Sequence, residues 1–120
     1  MPSGAGEKFP KTSRLRKRPE FQQLSRTGKT VHSPNFVVIS KANNKGESRL
    51  GITVSAKVGN AVVRNRIKRV VREFFRRHRR ELTAGLDILV IARKSATGSS
   101  LRLVENEIGK ILLDQEKRGR

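Results

Sequence analysis

From Gly59 to Arg80 the chain keeps a strict apolar rhythm inside its densest run of positive charge, and few folds accommodate both. Val63, Ile67, Val70, Val71, Phe74, Phe75, His78 and Leu82 recur at spacings of three and four, the signature of one helix face turned to a core. Projected at about 100° per residue, they fall in one arc. On the same projection Lys68, Arg72 and Arg79 flank that arc, and Asn65, Arg76, Arg69 and Arg80 continue it into a cationic surface. The acids Glu73 and Glu81 project elsewhere. Asn60, following Gly59, suits an N-cap, because its side-chain oxygen can accept from an unpaired N–H of the first turn. The helix is therefore expected to begin near Ala61.

A solvated helix face normally interleaves both signs of charge at i and i+4. This one sets cation beside cation, which costs stability unless an anion lies along it. A polyphosphate backbone is the partner with matching charge. The whole chain points the same way: its formal charge is +18 and its pI near 11.8. Membrane attraction fits less well, since no apolar run approaches the roughly 20 residues needed to span a bilayer. The N-terminal stretch shows no secretory h-region. With no cysteine there is no disulfide framework, thiol nucleophile or cysteine-based zinc site, and a cytoplasmic protein is expected.

The 120 residues suit one domain, expected over 13–115, between a flexible basic tail at 1–12 and a fraying tail at 116–120. Pro19 suits the first turn of a short helix whose apolar face carries Phe21 and Leu24, and Gly28 suits its end. Phe36-Val37-Val38-Ile39 and Leu50 to Ser55 read as strands flanking Asn43-Asn44-Lys45-Gly46, which suggests a hairpin; Val31 marks a further short strand. After the basic helix, Asp87 to Ala92 reads as a buried strand, giving a βαβ unit. Leu101, Val104, Ile108, Ile111 and Leu112 have helical spacing behind Ser100, a candidate cap.

The run Lys57-Val58-Gly59-Asn60-Ala61-Val62-Val63-Arg64-Asn65-Arg66-Ile67-Lys68-Arg69 closely resembles the signature of the protein subunit of bacterial ribonuclease P, centred on Arg-Asn-Arg. The resemblance is strongest from Arg49 to Arg80 and extends from Arg14 to Ala92. It implies an α+β sandwich of order α-β-β-β-α-β-α, with a four-stranded sheet and a left-handed βαβ crossover. That hand runs against the roughly 98% of such crossovers that are right-handed, so it comes from the family and not from the residues. The resemblance also implies RNA contacts by Asn60, Arg64, Asn65, Arg66, Lys68, Arg69, Arg72 and Arg76. A cleft between the first helix and the sheet would take a single-stranded leader, with Arg14, Lys17, Phe21, Phe36, Ile39 and Lys57 as its candidates. Plain core packing suits Phe21 and Phe36 equally. Two positions depart from the family pattern: Ser25 and Ile39 stand where relatives often carry aromatics, and the chain has no Tyr or Trp.

Nothing in the sequence outlines a catalytic site of its own. The carboxylates are scattered, Glu105 and Glu107 sit two apart on a helix, His78 lies on the apolar arc, and His32 has no evident partner. The resemblance implies that the RNA subunit is the catalyst and binds most of the Mg2+, while the protein binds that RNA and the 5′ leader of precursor tRNA. No membrane and no small-molecule substrate are expected. A structural ribosomal or other rRNA-binding protein is the alternative that composition allows, and a self-sufficient metal-dependent nuclease is a third, disfavoured by the scattered carboxylates.

Overall fold

The structure is a computed structural model that describes residues 18–43, 46–82 and 85–113, with the side chains of 18–21 and 80 outside that description. The expected tails at 1–12 and 116–120 lie outside the described residues, as do Arg14 and Lys17. Helix α1 (Arg18–Thr27) leads into β1 (Lys29–His32), β2 (Phe36–Ala42) and β3 (Arg49–Thr53). Helix α2 (Ala61–His78) ends in a 3-10 turn (Arg79–Glu81) before β4 (Leu86–Ala92). The last helix, α3, starts as Leu101–Val104, widens to a π turn over Glu105–Gly109 and continues through residues 110–113. This is the α-β-β-β-α-β-α order that the resemblance implies.

The four strands lie in the order β1-β2-β4-β3, with β1 and β2 antiparallel, β2 and β4 antiparallel, and β3 and β4 parallel. The expected hairpin between the second and third strands is therefore wrong. The tight connection joins β1 to β2, and β4 inserts between β2 and β3. Its Ile88, Leu89 and Val90 are all buried, so the middle of this strand is covered on both faces and takes a central place, whereas β1 is largely exposed and lies at an edge. Pairing β3 parallel to β4 then requires a crossover, which α2 supplies.

Register decides what each sheet face carries. Phe36, Val38, Leu50, Ile88, Val90 and Ala92 share one face and form the main core with Ile67, Val71, Phe74 and Phe75 of α2 and Val104, Ile108 and Leu112 of α3. Gly109 is buried here, where an added Cβ would stand 3.4 Å from the Phe74 ring. On the opposite face, Ile39 and Leu89 pair across the strands and form a smaller cluster with Leu24 of α1. Gly28 lets the chain turn back under α1: a Cβ there would lie 2.8 Å from both Ile39 Cγ2 and the Leu24 carbonyl oxygen.

Candidate nucleic-acid interface

Helix α2 starts beyond the carboxyl ends of the parallel strands β3 and β4, the crevice where open α/β sheets commonly bind ligands. Its start is fixed locally. Asn60 Oδ1 accepts from the Val63 N–H at 3.0 Å, and a Cβ on Gly59 would fall 2.9 Å from Val63, so glycine is required there. Thr97 Oγ1 donates to the Val58 carbonyl at 3.0 Å and ties the preceding turn to the β4–α3 connection. No acid occupies the first turn, which leaves the positive end of the helix dipole uncompensated.

The apolar arc holds as read: Ile67, Val71, Phe74 and Phe75 are buried, with Val63, Val70 and His78 half-buried at its edges. Around it, Asn60, Asn65, Arg66, Arg69 and Arg72 are exposed, while Arg64 and Lys68 are half-buried where the helix meets the core. Arg64 Nε is buried without a hydrogen-bond partner among the described residues. Leaving a donor in that condition costs about 1–3 kcal/mol, a cost that an incoming acceptor removes. Sequence reading passed over Val62, which is 76% exposed and sets an apolar surface beside these cations.

One expected feature needs correction. Arg76 does not belong to an acid-free surface, because Glu73 accepts from its Nε and Nη2 at 3.0 and 2.6 Å and from Arg77 Nε at 2.8 Å. These hydrogen bonds, from Arg76 first and Arg77 next, hold the Glu73 carboxyl at a pKa of about 2. The projection placed Glu73 away from the cations, yet residues three and four apart on a helix lie within side-chain reach.

The cleft side divides the leader candidates. Phe36 points to the main core and is 0% exposed, so it is core packing and not a stacking platform. Ile39 does face α1, but Leu24 covers it and both are 5% exposed. Further along the same face Val37 and Ile91 are half-buried, with His32 and Thr53 exposed beside them. That strip ends where the β3–α2 connection begins, and Lys57 is exposed on that connection. Phe21 lies in α1 with its side chain outside the described residues; Ser25 is exposed. At the other end of the face, a cavity of about 260 Å³ lies between α1 and the sheet, lined by Gln23, Thr27, Lys41, Arg49 and Asp87 among others. Arg49 forks onto both Asp87 oxygens there, at 2.8 and 2.7 Å.

His78 packs as its position on the arc suggests, its ring centroid 4.7 Å from that of Phe74. It also bridges two carboxylates, with Nδ1 on Glu81 and Nε2 3.2 Å from Glu105. Burial lowers its pKa, but the hydrogen bonds to Glu81 and Glu105 outweigh that effect and hold it above the ordinary value. Among the described residues, no group of three or more His, Asp or Glu is placed to hold a metal ion, and no described helix is long and apolar enough to cross a membrane.

The ribonuclease P family model matches residues 9–116. The ribonuclease P protein component of Desulforapulum autotrophicum is 47% identical over 103 residues, which cover 86% of this chain and 88% of that one. That of Desulfosudis oleivorans is 52% identical over 103 residues, covering 86% and 85%. Among solved structures, the RNase P protein from Thermotoga maritima superposes with a TM-score of 0.76 at 37% identity, covering 84% of this chain and 96% of that one.

Proposed function

The chain belongs to the ribonuclease P protein family, and from that membership we propose that it is the protein subunit of a cytoplasmic ribonucleoprotein endonuclease that removes the 5′ leader from precursor tRNA. In this reading the chain binds the ribonuclease P RNA and the leader, and chemistry belongs to the RNA. Magnesium would supply activation of the attacking water and be held mainly by RNA; the described protein residues form no carboxylate cluster that fits it.

The observation that carries the reading is the first two-thirds of α2, where residues 61–72 hold five lysines and arginines and no acid. Arginine and lysine heads on this surface neutralise phosphates and release counterions, and the open first turn adds N–H donors with the dipole's positive end. Arg64 brings a desolvated, unpaired donor, and its guanidinium geometry suits two phosphate oxygens at once. Asn65 offers both donor and acceptor. Arg66 projects toward the other flank of the arc and takes a separate contact. The half-open strip of Val37 and Ile91, flanked by Lys57, is the surface on which a single strand would lie.

The test is binding of ribonuclease P RNA by the protein, and of precursor tRNA by the RNA–protein complex, across a salt series, with the two slopes summed so that contacts to either RNA are read. Changing Arg64, Lys68 and Arg69 together to Ala lowers the slope of log K against log salt by about 2 to 3, at roughly 0.7–0.9 per phosphate contact. An unaltered slope with an unaltered circular dichroism spectrum overturns the assignment of this surface to RNA.

A further inference from the structure

Glu73 is the sole acid among the 18 residues of α2, against seven lysines and arginines. Five of those cations precede it and two follow. The two that follow are the ones its carboxylate engages: Arg76 side-on through Nε and Nη2, and Arg77 through Nε. Glu73 and Arg76 are each about one-third exposed, and Arg77 is 52% exposed, so the trio sits at the water boundary and not in the core. One Glu–Arg pair at this spacing stabilises a helix by only about 0.2–0.5 kcal/mol, and its place on an otherwise cationic helix suggests a second role.

We propose that Glu73 sets the end of the RNA footprint on α2. It turns Arg76 and Arg77 onto itself and places a negative charge where a further phosphate would lie, so the backbone is held by the residues before it. The inference rests on the RNA-binding reading above. Its physical basis is register. A helix with seven cations spread along it and no acid between them would meet a phosphate chain equally well in several offsets, because contacts to phosphate carry no sequence information. An offset that carries the RNA past Glu73 finds Arg76 and Arg77 already engaged and must give up their hydrogen bonds to the carboxylate, which disfavours that offset relative to the one that ends before it. Glu73 acts through the arginines and so is a positioning residue.

The experiment compares the complex of ribonuclease P RNA with the wild-type protein, E73Q, E73Q with R76A and R77A, and E47Q. Glu47 is an exposed acid in the connection between β2 and β3, outside α2, and controls for net charge. Binding of ribonuclease P RNA by each protein, and of precursor tRNA by each complex, is followed across a salt series and the two slopes are summed. In E73Q the slope of log K against log salt steepens by about 1 to 2, one phosphate for each released arginine. The increase disappears when Arg76 and Arg77 are also removed, and E47Q keeps the wild-type slope. An unchanged slope in folded E73Q makes the trio a helix staple only, and a shallower one means that Glu73 presents the arginines to RNA; either overturns the proposal, as does steepening that survives R76A and R77A. The alanine variant of Arg64, Lys68 and Arg69, measured alongside, separates the two levels. If its slope stays at wild type, the RNA-binding reading itself fails; if it falls while E73Q does nothing, only the role of Glu73 fails.

Discussion

Leu24→Ala is expected to release α1 from the sheet while leaving the rest of the fold standing. Leu24 is 5% exposed and, among the described residues, is the α1 side chain that joins the small cluster with Ile39 and Leu89. Shortening it removes three carbons, worth about 2.4 kcal/mol at about 0.8 kcal/mol per methylene. Its neighbours Gln23 and Ser25 are exposed, so the gap opens toward water and little cavity cost is added; about 2–3 kcal/mol is the working range. At 1.4 kcal/mol per factor of ten, the opening equilibrium of α1 rises roughly 30- to 140-fold. Hydrogen exchange reads this directly, at the Gly28 N–H that donates to the Leu24 carbonyl at 2.8 Å and at the α1 amides. A ten-residue helix without its anchor is below the length that is stable alone, so protection is lost across α1 as a unit. Amides of α2 and β4, held by the separate main core, keep theirs. The fall in global stability is capped at the docking free energy of α1, because an already open helix loses nothing more. Equal loss of protection in α1, α2 and β4 would refute the reasoning and make α1 part of one cooperative core.

Two further outcomes follow from the same geometry. Phe36→Leu costs stability in a denaturant melt by about 1 kcal/mol, as a near-conservative core swap does, and leaves leader affinity unchanged; loss of affinity in the folded variant would return Phe36 to the cleft. His78 has a raised pKa, so its bridge to Glu81 and Glu105 contributes stability that is fully present below the ordinary histidine value and is lost as pH rises through the folded value. Melting across pH 5 to 8 therefore shows a decline with rising pH that His78→Gln removes, and a wild-type profile retained in that variant would contradict the bridge.

The sequence carried much of this fold, and its failures have physical causes. α2 was legible because period and cap agreed, Asn60 capping Val63 and Ile67, Val71, Phe74 and Phe75 turning inward. Strand identities were legible from β-branched runs, but pairing was not: proximity in sequence favoured β2 with β3, while burial on both faces placed β4 between them. Phe36 and Ile39 are three residues apart on a strand and so occupy opposite faces, a period-2 rule that separates them into core and cleft side. The Glu73 contacts were present as i, i+3 and i, i+4 spacings, hidden by a projection that keeps angle and drops side-chain length. Of the two carboxylates on His78, Glu81 stood at i, i+3 in the same way, whereas Glu105 was beyond reach because it comes from a different helix, 27 residues on.

The most direct test of the central claim is cleavage of a precursor tRNA bearing a 5′ leader, at low magnesium, by this protein alone, by bacterial ribonuclease P RNA alone, and by the two together. The account predicts strong stimulation in the mixture and no cleavage by the protein alone. Chelator-sensitive cleavage by the purified protein by itself, or a mixture no faster than the RNA, would contradict it.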